Sequence, residues 1–505
     1  MKTSRTNPLF GETVILIILG LVRLAVHIST NGQYGFHRDE LAILDEARHL
    51  AWGYVAYPPL TPFIGRMAVE LFGFSLKGIR FFSALAQCTA MVITGLMARR
   101  LGGHLRAQVV ATLATGIAPL SLIQGALFQY VSFDYLWWVL SAYFVICLLT
   151  TDDARWWLAI GAVLGLGMMT KTTMAFCIAG IVGSVLLTSN RRYLKSPWLW
   201  LGAAFALSIF LPNLIWQWQH DFVTFRFLTA IHTRDVNIGR AENFIVQQPV
   251  VNANPLTLPL WVAGLCFYMF ARDGKRYRML GWMYLIPLLL FSATQARFYY
   301  LAPAYPMLLA AGSVIVERRF STLGQNLSRF WWGLTGSAIV VGAIAAGAVM
   351  LPVAPINSGL WGLTVELHDN FAEQIGWEDM VKTVSDIYAG LPEEERQRAG
   401  ILAGNYGEAG AIDLYGPAYN LPTAISGVNS YWWRGYGDPP PLTLIVLGFS
   451  HETAEKFFFN CELTGRITNR YGVVNEETRY TPNIYICHGG RKPWHELWPE
   501  LQSYG

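Results

Sequence analysis

Near its start the chain carries a dense group of ionisable residues, in GQYGFHRDELAILDEARHLAWGYVAYPPLTP from Gly32 to Pro62. Asp39 and Glu40 are adjacent carboxylates. A carboxylate can take the proton of an attacking hydroxyl or hold sugar hydroxyls. The same pair can equally cap a short helix. His37 is a candidate proton carrier, and Tyr57 stands just before Pro58-Pro59. Farther on, Asp134 lies in the aromatic setting YVSFDYLWW. An acid there is costly and is usually either functional or one half of an ion pair. Lys171 in GMMTKTTMAF is the one base between two apolar runs, and Arg297 in ATQARFYYLAPAYP adjoins Tyr299 and Tyr300. Such cations either clamp a phosphate or extend toward an interface from an apolar stem.

The segments that must position these residues are mostly apolar. The chain is 53% hydrophobic and 14% charged over 505 residues, where a soluble protein carries roughly 25% charged residues. Mean hydropathy is +0.34. A spanning helix needs about 20 mainly apolar residues. Eleven segments qualify, near 11–29, 79–98, 107–127, 132–150, 155–171, 173–189, 198–215, 256–270, 279–294, 299–316 and 331–351. The run after MKTSRTNPLF lacks a small-residue cleavage site and reads as a retained anchor. With the N-terminus inside, Lys2 and Arg5, Arg99 to Arg106, Arg155, Arg191 to Lys195, Arg272 to Arg278 and Arg318 to Arg329 all fall on one side. That is the positive-inside pattern. The candidate residues then share the opposite, outer face.

Two outer loops, 30–78 and 217–255, and a tail of ordinary polarity complete the plan. Domains are expected at 1–355, within the membrane, and at 356–505, outside it as a soluble α/β domain. In the first loop Asp39 to Trp52 is expected to form a short helix ended by Pro58-Pro59, and 60–76 an amphipathic helix at the interface. In the second loop, His220 and Asp221 are weak candidates for positioning an acceptor. Strands are expected at Gly400 to Ala403, Leu442 to Leu447 and Asn483 to Cys487. The glycine-containing GNYGEAG after the first of these is not a nucleotide-binding loop. Cys461 and Cys487 either pair in an oxidising compartment or remain buried thiols.

Several function classes are excluded. The basic clusters alternate with apolar runs, which disfavours nucleic acid as a partner. No HExxH, hydrolase elbow or Cys/His metal spacing is present. No cofactor is implied, and nothing supports a divalent metal.

HRDEL after the first helix, Tyr-Pro-Pro-Leu shortly after, Phe-Asp at the fourth helix, GLGMMTK and ARFYYLAPAYPMLLAAG together resemble the bacterial relatives of protein O-mannosyltransferases (glycosyltransferase family 39). These include the enzymes that place aminoarabinose on lipid A. The resemblance covers about residues 10–350. It implies a multi-spanning α-helical GT-C fold, a polyprenyl-phosphate sugar as donor and work at the outer face of the bacterial inner membrane. The N-terminus would be cytoplasmic and the C-terminal domain periplasmic.

By the same resemblance, Asp39 is the catalytic carboxylate, accompanied by Glu40. Asp134 matches a sugar or acceptor position, and Lys171 and Arg297 match basic positions near the donor phosphate. Tyr57 stands where the family often has His or Lys. The implied reaction is an inverting transfer to an acceptor hydroxyl, on a glycolipid, polysaccharide or protein. Membrane lipids are the other expected partners. The rival reading is a transporter or flippase, which would more often show paired repeats and broken helices at the membrane midplane.

Overall fold

The computed structural model describes residues 8–240 and 242–505. Lys2 and Arg5, invoked above for topology, lie outside the described residues. The chain divides into two compact units. One runs up to Asn31 and continues through Ile79–Gln219 and His232–Leu351; the other comprises Gly32–Gly78, His220–Ile231 and Pro352–Gly505.

The first unit is helical, as its long apolar runs require. Among the described residues six single helices are long and apolar enough to cross a membrane: Gly11–Thr30, Leu76–Arg100, Tyr130–Thr151, Pro197–Gln219, Phe298–Ser321 and Gln325–Met350. Three further helix pairs are bent, by 66°, 104° and 92°, which raises the number to at most nine. The expectation of eleven is therefore too fine. The segment expected at 155–171 is a 13-residue helix, Trp156–Met168. That expected at 279–294 is a 16-residue helix, Arg278–Ala293. At 1.5 Å per residue both fall short of a hydrocarbon core of about 30 Å.

A break inside an apolar environment strands backbone carbonyls, which must find donors within the protein. At the break between Leu105–Gly116 and Pro119–Gly125 the Ile117 carbonyl finds such a donor, and side chains distant in sequence also hold carbonyls of the short helix beyond it. Arg23 donates to the Ser121 carbonyl at 2.7 Å, and Asn31 donates to the Gly125 carbonyl at 2.8 Å. Asn254 donates to the Ile117 carbonyl at 3.3 Å. Arg80 holds the Asn31 carbonyl at 2.8 Å, which gives that buried arginine a structural role. Where Trp156–Met168 crosses Pro197–Gln219, Gly161 and Gly202 face each other, and a Cβ on either would strike backbone. Small residues permit that close approach.

The second unit holds a five-stranded sheet of order β2-β1-β3-β5-β4. Its strands are β1 (Ala399–Ala403), β2 (Ala424–Ile425), β3 (Thr443–Leu447), β4 (Phe458–Arg466) and β5 (Asn483–Gly490). β1 pairs in parallel with β2 and β3, and β5 runs antiparallel to β3 and β4. The three expected strands are β1, β3 and β5. β4 was not anticipated, although Phe459, Cys461 and Leu463 alternate with polar residues along it; its pairing with β5 carries register shifts. Cys461 and Cys487 form a disulfide with Cα atoms 4.1 Å apart. Closing a 26-residue separation contributes about 3.5 kcal/mol on the chain-entropy account.

Short helices from the first loop pack in this same unit. Arg38–Arg48 begins at the His37 cap and buries Leu41, Ile43, Leu44 and Ala47. Leu60–Phe72 follows Pro58-Pro59 and keeps one face buried at Thr61, Gly65 and Ala68.

Candidate active site

Two constellations contain the residues singled out by type, one in each unit.

In the helical unit, Lys171 occupies the turn between Trp156–Met168 and Met174–Leu187. Its ammonium is buried and has no hydrogen-bond partner. Three tyrosine rings surround it, with centroids at 3.9 Å for Tyr300, 5.4 Å for Tyr299 and 5.5 Å for Tyr130. Ring faces attract a cation but do not neutralise it. Asp134, in the second turn of Tyr130–Thr151, is also buried. Its Oδ2 accepts from the Thr173 hydroxyl at 3.0 Å, and its Oδ1 has no hydrogen-bond partner. Asp134 and Lys171 feel each other's charge, yet no ion pair forms between them among the described residues. A buried ammonium and a buried carboxylate oxygen, both short of hydrogen bonds, are suited to taking up polar groups from outside the chain.

Arg297 is differently disposed. It donates through Nε and Nη2 to the two oxygens of Asp235, at 2.5 and 3.0 Å, and through Nη1 to the Tyr299 hydroxyl at 3.1 Å. This bidentate pair occupies much of the guanidinium fork. Arg297 thus holds Tyr299, whose ring faces Lys171. Reading the sequence missed Asp235 because the Arg234 and Arg240 around it make it look like ordinary surface charge. Tyr130 was missed because a tyrosine at a helix start carries no signal of its own.

In the second unit, His37 caps Arg38–Arg48: its Nδ1 accepts from the Asp39 backbone N–H at 3.2 Å. Glu40 completes a capping box by accepting from the His37 backbone N–H at 2.8 Å. The two adjacent acids therefore divide their work. Glu40 is fully buried and closes the cap, whereas the Asp39 side chain stays about a third exposed, at 32%. The Tyr406 hydroxyl donates to Asp39 Oδ1 at 2.9 Å. The same Nδ1 lies 3.9 Å from Asp39 Oδ2.

Tyr57 lies apart from Asp39. It is buried near Glu46, on the far turns of the helix that carries Asp39, beside the Asp45–Arg434 ion pair. Among the described residues no group of three or more His, Cys, Asp or Glu is arranged to hold a metal. His220 packs against the Trp433 ring, with centroids 4.9 Å apart.

The family model described as dolichyl-phosphate-mannose-protein mannosyltransferase matches residues 56–216. That span includes Asp134 and Lys171 and stops short of Asp39 and Arg297. Over 301 residues the chain is 27% identical to the lipid A galacturonosyltransferase RgtD of Rhizobium johnstonii, covering 56% of this chain and 61% of that protein. The chain thus spans less than two thirds of that relative's length. ArnT from Cupriavidus metallidurans is similar in structure both when bound to undecaprenyl phosphate and in the apo state. The bound form has a TM-score of 0.56 at 15% identity and covers 94% of this chain and 98% of ArnT. The apo form has a TM-score of 0.57 at 14% identity and covers 95% and 98%. The arabinofuranosyltransferase AftD from Mycobacteria matches with a TM-score of 0.51 at 14% identity, over 94% of this chain and 40% of AftD. The chain thus shares the multi-spanning α-helical fold of ArnT and, over part of its length, is similar in sequence to a lipid A sugar transferase.

Proposed function

We propose that the chain is an inverting glycosyltransferase that moves a sugar from a polyprenyl-phosphate donor to an acceptor hydroxyl at the outer face of a bacterial inner membrane. The observation that carries the reading is Lys171: a buried ammonium, framed by three tyrosine rings and lacking any hydrogen-bond partner, in a fold like that of an undecaprenyl-phosphate-bound ArnT. The positive-inside distribution supports a cytoplasmic N-terminus and an outer location for Pro352–Gly505.

Each residue takes a part that its chemistry fits. The Asp39 carboxylate accepts the acceptor's hydroxyl proton as that oxygen attacks the anomeric carbon from the face opposite the phosphate. The bond from the anomeric carbon to the phosphate oxygen breaks, and polyprenyl phosphate leaves with the electron pair. A phosphate is already a good leaving group, so it needs charge stabilisation more than a proton. Lys171 supplies that charge, and Arg297 orients Tyr299 beside it. Asp134 receives a sugar or acceptor hydroxyl on its unpaired oxygen.

Replacing Asp39 by Asn keeps the size of the side chain and removes the base. Asp39→Asn is expected to insert and fold normally and to lose transfer. Normal turnover of a labelled donor by this variant would remove Asp39 from its role.

A further inference from the structure

We propose that Tyr406, from the C-terminal part of the chain, is a positioning residue for Asp39, so that the sheet-bearing unit supplies part of the machinery that activates the acceptor. The inference rests on the assignment of Asp39 as the base and extends it to a residue 367 positions away.

The starting point is the local sequence GNYGEAG, which follows β1. Had this turn been a phosphate loop, its backbone N–H groups would point outward for a ligand. Instead they are taken: Gly404 and Asn405 donate to Glu408 Oε2 at 3.1 and 3.2 Å. Asn405 in turn caps the helix Tyr406–Tyr415 by accepting from the Glu408 N–H at 2.9 Å. The reciprocal cap fixes where that helix starts, and hence where Tyr406 stands.

The glycines have a second use. A Cβ on Gly407 would meet the Arg38 Cβ at 2.9 Å, and one on Gly410 would meet the Leu41 backbone at 2.9 Å. Their spacing, three residues apart, puts both on one face of the helix. The helix Tyr406–Tyr415 therefore lies closely against Arg38–Arg48, and Tyr406 at its start reaches Asp39.

The ring is held as well as the hydroxyl. The Arg38 guanidinium carbon is 5.1 Å from the Tyr406 ring centroid. Arg38 is itself ion-paired with Glu476 and lies 3.9 Å from Glu477. A tyrosine fixed at its backbone, its ring face and its hydroxyl has little rotational freedom. Its hydrogen bond sets the rotation of the Asp39 carboxylate, and a misplaced catalytic group of this kind costs on the order of a hundredfold in rate.

The test uses the full-length protein in lipid vesicles, with rates expressed per donor-binding site so that inactive molecules do not count. Tyr406→Phe, which loses only the hydroxyl, is expected to lower kcat by roughly ten- to a hundredfold while KM for the polyprenyl-phosphate donor stays near the wild-type value. Tyr406→Leu, which also loses the ring, is expected to be at least as impaired. Wild-type kcat in Tyr406→Phe, with Tyr406→Leu impaired, would mean that only ring packing matters and would overturn the proposal. Asp39→Asn run alongside separates the two levels. If Asp39→Asn is inactive and Tyr406→Phe is normal, only the positioning role fails. If Asp39→Asn turns over, the assignment of the base fails and takes this inference with it.

Discussion

At the scale of the residue, Lys171 is the sharpest case. Its type and its isolation between apolar runs marked it from the sequence. Its tyrosine cage was not legible, because Tyr130 and Tyr300 come from segments far apart in the chain. Lys171→Met keeps the unbranched apolar stem and deletes the charge. Removing one preorganised stabiliser of developing charge typically costs about 10²–10³ in rate, and a loss of that size is expected in kcat/KM for the donor. Donor use at the wild-type rate would contradict the clamp. The acidic pair shows the opposite limit of sequence reading. Asp39 and Glu40 were indistinguishable by type, and both a cap and a base were open. The cap uses Glu40, while the Asp39 carboxylate accepts from the Tyr406 hydroxyl. Tyr406 itself, embedded in a glycine-rich turn, gave no signal, since what matters is which helix it lies against.

At the scale of the element, helix existence followed from hydropathy, whereas helix continuity did not. Pro119 stood in plain view inside the segment read as one span at 107–127. The Ile117 carbonyl at its break accepts from Asn254, and Arg23 and Asn31 hold the Ser121 and Gly125 carbonyls of the short helix that follows; all three partners are distant in sequence. The helix Arg38–Arg48 makes a separate, measurable statement. Burial pushes Glu46 up to about 8, against the pull of Tyr57, Ser430 and Arg434 and with Asp45 adding to the rise. Burial likewise raises Glu373 and Glu408 to about 8. An unfolded glutamate titrates near about 4.3. Between roughly pH 4.3 and 8 the folded unit holds protons that the unfolded chain has released, so its stability falls as pH rises through that window. Asp379, held below its usual range with Arg470 hydrogen-bonded to it, acts in the opposite sense but is a single, partly exposed group. Hydrogen exchange over 399–490 is expected to be slower at pH 5.5 than at pH 8 after correction for intrinsic rates, and Glu46→Gln should reduce that difference. Stronger protection at pH 8 would show that these carboxyls are ionised in the folded state.

At the scale of the whole molecule, the first loop and the tail fold together in one unit while the apolar helices form another. The tail showed its α/β character in three strand-like runs. That Gly32–Gly78 joins it was not legible, because the contacts are made across several hundred residues. A fold like that of ArnT accommodates long polar segments within an otherwise apolar chain, and in the proposed reaction the buried Lys171 ammonium meets the donor phosphate. The central claim is chemical: a sugar leaves a polyprenyl phosphate. Its most direct test is the purified chain in lipid vesicles with a polyprenyl-phosphate donor labelled in the sugar, together with a membrane extract as acceptor source. The account predicts that label passes to the acceptor fraction and that free polyprenyl phosphate appears in equal amount. A donor that stays intact, or that crosses the bilayer unchanged, would contradict it.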